Sequence, residues 1–217
     1  MLISVSGIDG AGKSTQIEHL CRSLDEAGRS YRLFRFWDDV AALKKFREDV
    51  GHRVFKGDKG VGSPEAPIRR RDKNVQSPLV TLVRLGVYFL DALSLRLFAS
   101  QAAYSGVDIV IFDRYLYDEL ANLDLASPWA RWYARFLAGI VPVPAVSLIL
   151  DANPEEAFAR KPEYPLEFLH RNRRAYLALA KLFGHMTVIP ARTIEEVKGL
   201  VTAAVGLTPE LPVARLG

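Results

Sequence analysis

Gly7-Ile8-Asp9-Gly10-Ala11-Gly12-Lys13-Ser14-Thr15 has residue types and spacing that suit one chemistry. Gly7 and Gly12-Lys13-Ser14, four residues apart, form the pattern of a phosphate-binding P-loop. The loop turns backbone N–H groups inward onto phosphate oxygens, and a Cβ there would obstruct the approach. Lys13 is placed to reach the β- and γ-phosphates, and the Ser14 hydroxyl to ligate Mg²⁺. Gly7, Gly10, Ala11, Gly12, Lys13, Ser14 and Thr15 are therefore the candidate ATP-binding residues. A second stretch, Gly106 to Tyr115, is an apolar run ending in Asp113-Arg114. Asp113 is the candidate second metal-organising carboxylate, and Arg114 a candidate phosphate clamp.

The elements that must position these groups are legible around them. Leu2–Ser6 is a short, β-branched apolar run that predicts a strand before the loop. Ile17, Leu20, Cys21 and Leu24 recur at helical spacing after it, and Gly28 closes that helix. Tyr31–Trp37 predicts a second strand, Gly106–Asp113 a third, Ala145–Asp151 a fourth and Thr187–Pro190 a fifth. Apolar strands alternating with helices give an α/β fold with a doubly wound, five-stranded parallel sheet. Ligands bind beyond the carboxyl ends of such strands. Arg35, near the end of the second strand, is thus either an acceptor-phosphate ligand or a solvent-facing strand residue.

Ser77-Pro78 predicts a long helix to about Tyr104, apolar nearly all round and hence buried or at a subunit interface. Its Asp91 either faces the active cleft or pairs with a base such as Arg84, since an unpaired buried carboxylate is costly. Trp129, Trp132, Tyr133 and Phe136 on a helix over Pro128–Leu137 are read as packing residues. Asn153-Pro154-Glu155-Glu156 starts a short helix that Pro162 and Pro165 break. The next helix carries Arg171, Arg173 and Arg174, so about 160–175 reads as a basic lid over phosphates or as a solvated basic face. Thr193 to Glu196 reads as a capping box for a final helix.

The chain has 217 residues, a single cysteine and a net charge of +4. These features predict one domain over 1–207 with a tail at 208–217, no intrachain disulfide and a cytoplasmic location. No signal peptide is expected, because a strand begins at once. Cys21 is read as a small buried hydrophobe rather than a reactive thiol. Leu79–Phe98 is interrupted by Arg84, Asp91 and Arg96, which argues for a buried helix over a membrane span. The histidines show no metal-ligand spacing. Residues 44–73 hold ten Lys or Arg and five Asp or Glu, a local +5 that exceeds the net charge of the whole chain. This basic loop insertion, over 44–76, reads as a solvated loop, a flap over an acidic substrate, or a contact for an anionic partner.

The P-loop with its Ile8-Asp9-Gly10 insert, Arg35-Phe36, Asp113-Arg114-Tyr115, Arg171 through Ala180, and Ile189-Pro190-Ala191 together resemble the thymidylate kinase family. The resemblance runs through most of the chain in the same order. It implies that Asp9 contacts the acceptor's sugar, that Arg35, Arg114 and Tyr115 belong to the acceptor site, and that Arg160 with Arg171 supplies lid charge for catalysis beside Lys13 and Asp113. It also implies a homodimer. The chain departs from the family pattern at Ser6, at Trp37-Asp38-Asp39, and at Asp91-Ala92-Leu93, where the family offers an arginine to the acceptor phosphate.

The expectation is an ATP- and Mg²⁺-dependent kinase acting on a small phosphorylated acceptor, dTMP first among nucleotides. One alternative is a P-loop kinase for a non-nucleotide metabolite, which Asp38 and Asp91 would suit. Another is a nucleotide-dependent module docking a polyanion through the basic loop. Nucleic acid is not the expected partner, because that loop lacks interleaved aromatics.

Overall fold

The computed structural model describes residues 1–41, 78–104 and 106–207. The basic insertion and the C-terminal tail lie outside the described residues. Five parallel strands form one sheet: β1 (Leu2–Ser6), β2 (Tyr31–Arg35), β3 (Ile109–Asp113), β4 (Val146–Leu150) and β5 (Met186–Ile189), in the order β2-β3-β1-β4-β5. The described helices are α1 (Lys13–Glu26), α2 (Pro78–Ala103), α3 (Leu116–Leu120), α4 (Pro128–Ile140), α5 (Pro154–Arg160), α6 (Leu166–Phe183) and α7 (Ile194–Ala204). β1 sits at the centre. The chain leaves it for the β2 edge, returns to β3 and crosses to β4, so the carboxyl ends of β1 and β3 border the crevice where the winding reverses.

Alternation along the strands builds two apolar layers. Ile3, Val5, Ile109, Ile111, Leu148 and Leu150 face α1 and α7. Val110, Phe112 and Ile149 share the opposite core with residues of α2, α4 and α6. Cys21 packs partly buried against the first layer, and burial pushes its thiol pKa up. At the end of α1, Gly28 takes φ 63° and Arg29 N–H reaches Leu24 O at 2.9 Å, a left-handed helix stop.

Three expectations need revision or narrowing. The second strand stops at Arg35, and Phe36–Val40 forms a single π-helical turn closed by Ala41 N–H to Phe36 O at 2.8 Å. The Asp39 carboxylate accepts the Arg35 N–H at 2.7 Å, and the turn buries both Phe36 and Val40, so a polar bond and apolar burial together end the strand. Next, α2 is not enclosed in the core, which leaves the interface alternative of its expectation standing. Tyr88, Ala92, Leu95 and Ala99 are buried, whereas Leu82, Val83, Leu90 and Leu97 are exposed. Finally, α4 buries only Tyr133 of its four aromatics: Trp129, Trp132 and Phe136 are exposed, with Trp129 stacked on Tyr133, Trp132 on Phe136 and Phe136 on Phe89 of α2. Among the described residues no helix is long and apolar enough to cross a membrane.

Candidate active site

The loop between β1 and α1 owes its glycines to backbone packing. Gly7 has φ 146°, and a Cβ there would meet Leu150 O of β4 at 2.5 Å. Gly10 has φ 81°, and its Cβ would meet Ala157 O of α5 at 2.4 Å. Gly12, at φ 84°, caps α1 and faces open space. The expected obstruction of the phosphate approach is thus joined by a tighter constraint, the seating of the loop between β4 and α5.

Lys13 is buried, and its Nζ donates to Gly7 O and Ile8 O, both at 2.8 Å. Burial, reinforced by nearby Arg114, lowers its pKa from 10.5 to about 8, despite Asp9 at 3.9 Å. Ser14 and Thr15 are exposed in the first turn of α1, on the side where the helix presents free N–H groups.

β3 delivers Asp113 to the crevice. Burial raises the carboxyl's pKa, with Arg114 and Lys13 opposing. Arg114 has φ 70° and is the one non-glycine residue with positive φ among the described residues. Its backbone N–H bonds Val5 O at 2.9 Å, which ties the turn to β1. Its guanidinium pairs with Asp9 through Nη2 and with Asp118 through Nη1 at 3.1 Å. Burial disfavours that charge, but Asp118 and Asp9 outweigh it and raise the pKa. The loop aspartate and the strand-end arginine are therefore brought together. Arg35 is exposed at the tip of β2 as the register partner of Asp113.

Of two expected acceptor residues, Tyr115 sits deeper than a ligand contact requires, whereas burial of Asp91 was expected. Tyr115 is fully buried and donates its hydroxyl to Pro142 O at 2.6 Å, so it supports the turn from inside the core. Asp91 is fully buried on α2. Arg96, one turn on, donates to Ile140 O at 2.8 Å.

Asp118 escaped the sequence reading. It is buried on α3 and gathers Ser6, Tyr115 N–H, Arg114 and Tyr176 around one carboxylate. The available signal was its place three residues after Tyr115, where a carboxylate closes a cap on a short helix.

On the other side of the loop, a pocket of about 220 Å³ is lined by Ala11, Asp151, Arg160, Pro190, Arg192 and Val197, among others. It lies beyond the carboxyl ends of β4 and β5. Arg160 borders it, with Nε donated to Glu156 O at 3.2 Å. Arg173 grips Asp151, Nε to Oδ1 at 2.6 Å and Nη2 to Oδ2 at 2.7 Å. Arg171 is exposed, its guanidinium 5.5 Å from the Phe168 ring. The arginines expected in a lid thus divide between a pocket wall, an ion pair and a ring face.

No family model matches the chain. Curated relatives do. A probable thymidylate kinase of Archaeoglobus fulgidus is 28% identical over 207 residues, 91% of each chain. A thymidylate kinase of Chlorobaculum tepidum is 32% identical over 162 residues, 74% of this chain and 66% of that one. A thymidylate kinase of Polaromonas sp. is 30% identical over 191 residues, 81% of this chain and 82% of its own. Identity at this level along four-fifths of both chains joins the P-loop, the parallel sheet and the Asp9–Arg114 pairing in one conclusion: the chain belongs to the thymidylate kinase family.

Proposed function

We propose that this ATP-dependent phosphotransferase moves the γ-phosphoryl group of ATP to dTMP, giving ADP and dTDP. The observation that carries the reading is the cluster Lys13, Asp9 and Arg114, in which the P-loop and the end of β3 converge on one point of the crevice. The pocket by Ala11 and Pro190 supports placing the ATP base on the β4–β5 side of the loop, with the acceptor on the β3–β2 side.

An acceptor phosphate oxygen forms the new bond to the γ-phosphorus as the β–γ bridging bond breaks in line, with no covalent enzyme intermediate. The catalytic task is positioning and charge neutralisation. Lys13 turns its ammonium from the loop carbonyls to the phosphates. Arg114 and Arg35 hold the acceptor phosphate, and Asp9 its sugar. Arg160 and Arg171 offer lid charge to the transferring group.

The Ser14 hydroxyl and the Asp113 carboxylate are hard oxygen donors that suit Mg²⁺, an ion that takes few protein ligands and completes its shell with phosphates and water. The described residues contain no group of three or more His, Cys, Asp or Glu that would compete as a dedicated metal cage. Held by Ser14 and Asp113, Mg²⁺ would supply neutralisation of phosphate charge.

The exposed apolar side of α2 and the aromatic side of α4 support a homodimer. Light scattering at micromolar concentration checks it, and a monomeric mass rules it out. A cytoplasmic location accords with the use of ATP and with the unactivated thiol of Cys21.

The deciding experiment is ADP production from MgATP across dTMP, the other nucleoside monophosphates, sugar phosphates and buffer alone. The highest kcat/KM is expected with dTMP. Preference for a non-nucleotide, or no stimulation by any acceptor, overturns the assignment.

A further inference from the structure

We infer that Asp118 and Tyr176 are positioning residues that hold the Arg114 guanidinium in the plane needed to receive the acceptor phosphate. The inference rests on the reading of Arg114 as acceptor clamp.

Asp118 uses both carboxylate oxygens fully. Oδ2 accepts Ser6 Oγ at 2.6 Å and Tyr115 N–H at 3.1 Å. Oδ1 accepts Arg114 Nη1 at 3.1 Å and the Tyr176 hydroxyl at 2.7 Å. The donors come from β1, from the turn after β3, and from α6. The carboxylate therefore has no freedom to follow the arginine, so the arginine must conform to it. At its other end, Nη2 pairs with Asp9 of the loop. Two carboxylates at opposite ends of a planar fork define its plane, where one would leave it free to turn. The backbone of Arg114, at φ 70°, is in a region that side-chain-bearing residues rarely adopt, so local conformation alone does not secure the side chain.

A carboxylate needed only to cap α3 would be complete with Ser6 and the Tyr115 N–H. The Tyr176 hydroxyl adds something else, because it comes from α6, the helix that also carries Arg171 and Arg173. Tyr176 is buried, and its neighbour one turn back, Arg173, grips Asp151 on the pocket side. One face of α6 thereby touches both halves of the crevice.

The test uses Asp118→Asn, Tyr176→Phe and Arg114→Ala in the full-length protein, singly and combined, with thermal melts as the check on folding. Both positioning variants should raise the KM for dTMP by about tenfold and leave the KM for ATP within about twofold. In the Arg114→Ala background neither should raise it further. Loss of equal size with and without Arg114, or no change in the KM for dTMP, overturns the inference. A second readout needs no turnover: the Arg114 Nη–H signals in ¹⁵N-edited spectra, identified by their absence in Arg114→Ala. They should be sharp in the wild type and broadened in both variants; unchanged signals overturn the inference. If the wild type does not phosphorylate dTMP, the proposed function fails, and these spectra still decide the positioning role. If Asp118→Asn does not fold, Tyr176→Phe, which removes a single hydroxyl, decides it.

Discussion

Arg173 of α6 grips Asp151, the residue just after β4, through two parallel bonds of 2.6 and 2.7 Å. Asp151 also lines the pocket beside the P-loop. The pair thus shapes the wall against which a nucleotide base would lie. Arg173→Lys keeps the charge but cannot form the fork. It should lower stability by only about 0.5–1 kcal/mol, because the arginine is substantially exposed. The KM for ATP should rise several-fold. Thermal melts and initial rates at varied ATP check both, and an unchanged KM would separate the pair from the donor site.

Lys13 should give the enzyme an alkaline limb. Its pKa in the free protein is about 8, so raising the pH through that value removes the charge that the phosphates need. The kcat/KM for ATP should therefore fall above about pH 8. Stability runs the other way. Between about 8 and 10.5 the unfolded chain binds a proton that the folded chain has lost, so stability gains with rising pH across that window. Lys13→Met should abolish turnover, flatten this gain and leave the fold intact. Near-normal activity in that variant would contradict the assignment.

Asp113 has the opposite linkage. Burial raises its carboxyl pKa, so the folded chain holds its proton to higher pH than the unfolded chain does. Stability then falls as pH climbs from the ordinary carboxylate value through the raised one. Asp113→Asn should be neutral or stabilising at pH 7 while weakening Mg²⁺-dependent turnover by two or more orders of magnitude, roughly the scale set by losing a charge-organising group. Denaturant melts paired with Mg²⁺ titrations of the rate test it. A destabilised variant would mean that the carboxylate serves the fold instead.

Gly10→Ala tests the seating of the loop. Its Cβ would lie 2.4 Å from Ala157 O, a backbone atom that cannot swing aside, and the φ of 81° adds strain. A loss of roughly 2 kcal/mol or more is expected, with ATP binding weakened as the loop lifts from α5. Gly12→Ala meets no neighbour and carries the strain alone, so it should be the milder of the two.

The strands, the P-loop and the Asp113-Arg114 step were legible because each is written locally. Apolar runs mark buried parallel strands, and a glycine pattern marks a loop with one use. What was not legible depends on partners distant in sequence. Nothing near Asp118 announces that Ser6 and Tyr176 converge on it from 112 and 58 residues away. Tyr115 belongs to a motif that suggests a ligand contact, yet its hydroxyl is taken by Pro142. The π-helical turn after Arg35 hinges on a bond to Asp39 that competes with strand pairing, and propensity alone favours the strand. Trp129 and Trp132 were misread because aromatic spacing on a helix signals burial without saying whether the cover comes from the same chain.

The last helix has a bearing on how the protein is made. Gln16, one turn into α1, donates its side-chain amide to Ile194 O at 3.1 Å, and Val201 and Val205 close the apolar layer beneath Ile17, Leu20 and Leu24. The helix that points its N-terminus at the phosphates is thus seated on a segment translated 178 residues after it. The residues that define the loop are translated well before the helix that secures them. A nascent chain halted before α7 should therefore carry the whole P-loop motif and still fail to retain ATP.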